Sequence, residues 1–284
     1  MTTWILLRGL AREARHWGDF PRVLEAAFPG DRVVTLELPG NGELNAQPSP
    51  VTIAGMAVHG RAALARLGLT PPFSLLAMSM GAMVAVAWAQ AHPDEIARCV
   101  LLSTSFGAFS PPHHRLRPRA LLALLGILLA RAPEDRERRV LELTTGTGHS
   151  HPGLAEAWAA IHRDRPVRPG NAFRQLLAAA RYRAPPAPPA ATLVLVGAGD
   201  RMVDPRCSER IARRWRCPLA IHPDAGHDLG LDAGAWVAGQ IGAWLSQGLS
   251  RKESLTQALD TIAPSFTSRV PTQPGGRPPG LPQS

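Results

Sequence analysis

The sequence predicts an α/β fold, a mainly parallel sheet with helices on both faces and a helical segment inserted between two of its strands. Three observations carry that prediction. Short apolar runs bounded by turn residues alternate with helical patterns along the chain. Several of those runs are apolar throughout, as strands covered on both faces must be. The alternation then stops between Gly107 and Ala190, where the pattern is helical and rich in Leu, Ala and Arg.

In chain order, Trp4 to Leu7 and Val33 to Leu38 read as strands, with a helical pattern from Phe20 to Phe28 between them. A helix at Ile53 to Leu67 precedes a buried strand at Phe73 to Ala77, and a helix at Ala82 to Ala91 precedes one at Cys99 to Ser103. The inserted segment is bracketed by Pro111-Pro112 and by the proline-rich run at 184–190, a stiff return linker. Strands resume at Thr192 to Gly197 and Leu219 to His222, and a helix at Ala235 to Ser246 closes the series. The expected organisation is a core at 1–106 and 190–249, a helical cap at 107–189, and a tail at 250–284. The tail's Ser, Thr, Pro and Gly content predicts disorder.

At 284 residues the chain can bury a sizeable core. No apolar run reaches the roughly 18 residues of a membrane span. The nearest, Ala120 to Ala130, reads as a buried or groove-lining helix. The amino terminus lacks a basic leader, and Cys99, Cys207 and Cys217 offer neither metal spacing nor an even disulfide set. The expectation is a reduced, cytoplasmic protein with no metal and no cofactor. The net charge of +9 invites a nucleic-acid reading, but Lys252 is the one lysine among 31 basic residues. Arginine abundance alongside Ala and Pro reads as codon bias, and no nucleic-acid module accompanies it.

The chemistry concentrates at Ala77-Met78-Ser79-Met80-Gly81, where an apolar strand gives way to a small-residue helix. Small residues two places either side of a serine permit a turn tight enough to lift its hydroxyl clear of the sheet, at a helix start that favours negative charge. A plain N-cap serine is the competing reading. A nucleophilic serine needs a base and an orienting acid, in the chain order Ser, Asp, His. Asp200 follows the strand ending at Gly197, and His227 follows the next strand, after Gly226, which is expected to let the loop bend. His222, His92, His113, His114, His149 and His151 lie at less suitable places. The backbone N–H groups of Met80 and Leu10 are the candidate oxyanion donors.

Leu7-Arg8-Gly9-Leu10, Leu38-Pro39-Gly40-Asn41-Gly42, the Ser79 turn, Gly199-Asp200 and Gly226-His227 together resemble the α/β-hydrolase superfamily over residues 1–249. Within it the capped carboxylesterases look closest, among them the group that cleaves pimeloyl-carrier-protein methyl ester. The resemblance implies the α/β-hydrolase fold without its two opening antiparallel strands, and a Ser79–His227–Asp200 triad acting on a small-molecule ester through an acyl-enzyme. The same fold also hosts C–C hydrolases, thioesterases, lyases and non-catalytic binding members. Arg8 stands where the family has His, and Asn41 where it has the His of Pro-Gly-His-Gly. Arg8 is expected to brace the oxyanion loop or meet a substrate carboxylate. With Asn41, Leu121 and Leu125 it makes the candidate substrate pocket. Arg115, Arg117, Arg119, Arg136, Arg138 and Arg139 are a basic cap rim, a possible seat for an acyl-carrier protein or simply a solvated face; neither nucleic acid nor a membrane is expected as a partner.

Overall fold

Six apolar segments form one parallel sheet in the computed structural model, which describes residues 1–148 and 150–262. The strands are β1 (Thr3–Leu7), β2 (Arg32–Leu36), β3 (Phe73–Met78), β4 (Ile96–Leu102), β5 (Ala191–Gly197) and β6 (Leu219–His222). They lie in the order β2-β1-β3-β4-β5-β6, and every neighbouring pair is parallel. The fully apolar runs occupy the middle. All six residues of β3 are buried, whereas β2 and β6 at the edges are partly exposed.

The helices that cover the sheet are α1 (Phe20–Ala27), α2 (Ile53–Arg66) and α3 (Met80–Ala91). Five more, α4 (Pro112–Arg115), α5 (Pro118–Leu129), α6 (Pro133–Thr144), α7 (Leu154–Asp164) and α8 (Pro169–Arg181), lie between β4 and β5 in the chain. Two others are α9 (Arg206–Trp215), between β5 and β6, and α10 (Leu229–Ile262). The Thr52 hydroxyl caps α2 by accepting the Gly55 N–H at 3.2 Å. Residues 80–89 of α3 are all buried, and its Gly and Ala side chains let it lie close against the sheet. Residues 1–242 cluster as one unit with the α4–α8 segment included. Residues 243–284 form a second, whose described part, 243–262, is helical.

The structure departs from the sequence expectations in three places. Helix α9 was not among the predicted elements, because Arg206, Glu209, Arg210, Arg213 and Arg214 hide a narrow stripe of Cys207, Ile211 and Trp215 spaced four apart. Helix α10 starts before Ala235, with a non-helical break at Ala233 (φ −146°, ψ 41°) that splits the apolar pattern. It also runs to Ile262, into the stretch predicted to be disordered, since 249–262 contain neither Gly nor Pro and are rich in helix formers. The rest of the expected tail, 263–284, and His149 lie outside the described residues.

The third departure is α5, the apolar helix predicted to be buried or to line a groove. Only Ala120 and Ile127 are buried in it. With Leu124 and Ala123 they pack on Leu116, Val140, Leu143 and Met202. That covers one side of a helix that carries leucines all round. No helix among the described residues is long and apolar enough to cross a membrane.

Candidate active site

Strand β1 lies between β2 and β3, so the connections leaving β1 and β3 diverge at the carboxyl edge of the sheet, the crevice where open α/β sheets gather functional loops. Ser79 stands at that point, at φ 54°, ψ −116°, immediately before α3. Main-chain bonds hold this unfavourable conformation. The Ser79 N–H donates to the Leu102 carbonyl at 2.9 Å, and its carbonyl accepts from the Thr104 hydroxyl at 2.8 Å. Any side chain at Gly81 would place its Cβ 2.5 Å from the Arg8 carbonyl oxygen and 2.6 Å from that of Leu7. A Cβ on Gly9 would lie 3.2 Å from the Ser79 Cβ. Leu10 therefore follows a residue packed directly on the serine, and Met80 opens α3, where N–H groups have no acceptor within the helix.

Asp200 follows β5 and is fully buried. Its Oδ1 accepts the N–H groups of Met202 and Val203 at 2.8 and 2.9 Å, which leaves Oδ2 to meet His227 Nδ1 at 2.7 Å. His227 is itself only 2% exposed. Burial pushes its imidazolium pKa down, but the charge of Asp200 and its hydrogen bond outweigh burial and raise the pKa above the usual 6.5. Gly226 is required for a reason other than the expected bend. It has no positive φ; a Cβ there would meet the backbone at Thr145 and Gly146 at 2.4 and 2.6 Å, so the glycine lets the end of the α6 segment lie against the histidine loop.

Arg8 joins the serine and histidine loops. Its Nη1 and Nη2 donate to the two carboxylate oxygens of Asp228 at 3.1 and 2.6 Å, and Nη1 lies 3.5 Å from the Met78 sulfur. The guanidinium sits 4.7 Å from the Trp17 ring centroid. Burial alone would raise the Asp228 carboxyl pKa, and the Arg8 charge more than reverses that. Arg8 thus contacts the residue before Ser79 and the residue after His227.

Asn41 is buried, and its Oδ1 accepts from Gln175 Nε2 at 2.9 Å. Gln175 Oε1 in turn accepts the Ala11 N–H at 2.8 Å, next to Leu10. Among the described residues Asn41 Nδ2 has no partner. Gln175 was not among the predicted site residues. The available signal was a polar pair four apart on α8, since Asn171 bonds the Ser49 N–H and the carbonyls of Asn45 and Gln47. Leu121 and Leu125, expected to line the pocket, lie half exposed on the outward side of α5, because Ala120, Ala123, Leu124 and Ile127 take its inward side. Several rim arginines have internal partners. Arg115 donates to the Ala179 and Ala180 carbonyls, Arg117 to the Asp200 carbonyl, Arg136 contacts His162, and Arg138 pairs with Asp135. A cavity of ≈ 490 Å³ between the start of α2 and the ends of α3 and α8 contains none of the candidate site residues.

A serine at a positive-φ strand–helix turn, with a carboxylate–imidazole pair two and three strands away, is the arrangement of an α/β hydrolase. The chain belongs to the alpha/beta hydrolase family, whose family model matches residues 4–240, and it is a hydrolase. Among similar solved structures is a thermophilic esterase from Thermogutta terrifontis, 25% identical, covering 87% of this chain and 90% of that one at a TM-score of 0.65. The esterase RhEst1 from Rhodococcus sp. ECU1013 is 19% identical over 87% and 92% of the two chains, with a TM-score of 0.66. A bacterial membrane phospholipase A is 22% identical over 87% and 79%, with a TM-score of 0.67. Among proteins with curated sequences, none matches this chain.

Proposed function

We propose that the protein hydrolyses a carboxylic ester through an acyl-enzyme on Ser79. The observation that carries this reading is the buried 2.7 Å bond between Asp200 and His227 Nδ1, which leaves Nε2 as the free nitrogen of the ring. In this scheme Nε2 takes the Ser79 hydroxyl proton as Oγ attacks the acyl carbon. The N–H groups of Met80 and Leu10 hold the oxyanion. The alcohol leaves with the proton from His227, and a water deprotonated by the same imidazole releases the acid. Two of the three similar structures named above bear the name esterase, which supports the ester over other acyl substrates. Labelling with a fluorophosphonate tests the nucleophile. Wild type is expected to react at Ser79, and Ser79→Ala to lose labelling together with at least ~10⁴-fold in kcat on an activated short-chain ester. Undiminished turnover by Ser79→Ala would refute the nucleophile, and a preference for thioesters or C–C substrates in a matched panel would refute the ester.

A further inference from the structure

Five leucines on α5 face solvent: Leu121 (52% exposed), Leu122 (69%), Leu125 (50%), Leu128 (68%) and Leu129 (80%). Their spacing of i, i+1, i+4, i+7 and i+8 makes one continuous apolar face, more exposed aliphatic surface than a lone surface leucine represents. The exposed Arg119 in the first turn of α5 and Arg131 just past its end flank the leucines, and the Arg139 guanidinium lies beside Gly126, 3.2 Å from where a Cβ would stand. Between Gly107 and Ala190 the sequence holds thirteen arginines and six carboxylates, a net +7 out of +9 for the chain. The apolar face therefore projects from the part of the molecule that holds most of its positive charge. Its base is tied to the candidate site, since the Arg117 N–H donates to the Met202 carbonyl at 3.0 Å and Arg117 Nη1 to the Asp200 carbonyl at 2.9 Å.

We infer that α5 is a docking surface for the face of an anionic phospholipid bilayer, with the leucines seated at the headgroup–acyl boundary and the arginines among the headgroups. Charge selects this occupant. A second copy meeting the same face by two-fold symmetry would bring two segments of net +7 together. An acidic carrier protein would need free guanidinium forks, and Arg115 and Arg117 turn theirs onto backbone carbonyls, while Arg136 meets His162 and Arg138 pairs with Asp135. A bilayer reads the summed field and the apolar face, both of which persist. The helix is twelve residues long and lies in the interface without crossing it. The corollary that the ester is an amphiphile drawn from that surface rests on the hydrolase reading above; the docking itself does not.

Cosedimentation of full-length Ser79→Ala protein with lipid vesicles tests the surface independently of hydrolysis. Binding is expected to phosphatidylcholine vesicles containing phosphatidylglycerol, much less to phosphatidylcholine alone, and to weaken as salt is added. The Leu122→Gln/Leu129→Gln variant is expected to lose at least ~10-fold of that binding, while Val58→Gln, at an exposed site on α2 (64%), retains it. Unaltered thermal unfolding of the double variant separates lost docking from lost fold. No preference for anionic vesicles, or equal binding by the double variant, overturns the proposal. So does a concentration-dependent dimer, or a complex with an acidic carrier protein, that the double variant disrupts without any vesicle binding. Failure of vesicle binding leaves Ser79 labelling intact, and failure of labelling leaves vesicle binding intact, so the two readings fall separately.

Discussion

Helices α3 and α5 are each twelve residues long and each almost wholly apolar, yet they occupy opposite situations. In α3 ten residues are buried; in α5 two are. The difference lies in side-chain size and position along the chain. Gly81, Ala82, Ala85 and Ala89 let α3 settle onto a flat sheet, with Trp88 filling the space beside Phe73, their ring centroids 6.4 Å apart. The leucines of α5 stand off a peripheral helix whose neighbours reach one side only. Apolar composition states how much surface a helix would gain by covering, and the surrounding elements decide whether that cover exists within the chain.

The contrast predicts sharply unequal costs for substitution. Gly81→Val is expected to be the most damaging, because backbone carbonyls 2.5 and 2.6 Å from the new Cβ cannot yield; a loss above ~4 kcal/mol would appear as insoluble or unfolded protein. Normal yield and melting temperature would show that the turn at Ser79 is looser than its geometry. Next comes Trp88→Ala, expected to cost ~3–5 kcal/mol in denaturant unfolding by emptying a fully buried site. Charges follow the same division. Arg8→Met strands the buried Asp228 carboxylate and is expected to cost about 3–5 kcal/mol, with much of it recovered in Arg8→Met/Asp228→Leu. Arg119→Ala in the first turn of α5 is expected to change stability by less than ~0.5 kcal/mol.

The pH dependence separates the buried histidine loop from the exposed helix in another way. His227 must be neutral to accept a proton, and its folded pKa is raised above the usual 6.5, so activity is expected to rise with pH through a midpoint above that value. The stabilisation from the imidazolium–Asp200 pair has the opposite trend: it is full below about 6.5 and is lost as pH climbs through the raised pKa. In Asp200→Asn the acidic limb of kcat/KM is expected to shift downward along with a large fall in kcat. A limb that stays in place would remove Asp200 as the group that sets the histidine.

What could be read in the sequence was what local pattern encodes. The strand ends that carry Ser79 and Asp200 announce themselves through mostly apolar runs that give way to Gly and Asp, because β3 and β5 are buried along nearly their whole length. The short edge strand before His227 is marked by the Gly-containing loop that follows it. What could not be read were facts about pairs far apart in the chain. Arg8 meets Asp228 across 220 positions and Gln175 meets Asn41 across 134, and no local signal states that these side chains will be buried together. Helix α9 was masked by five charged residues on its outward side. The orientation of α5 was hidden for the reverse reason, since leucines on every side give no preferred face.

The smallest expected effect is the most discriminating for α5. Leu129→Ala removes a side chain that is 80% exposed, so it forfeits little burial and is expected to move the unfolding free energy by less than ~0.5 kcal/mol. Ile127→Ala, two residues earlier and 8% exposed, is expected to cost ~2 kcal/mol or more. Chemical denaturation of the two variants measures the gap directly. Near-equal losses would mean that something in the folded chain covers Leu129, which would remove the free surface on which docking depends. A wide gap leaves a leucine face that the other described residues do not cover.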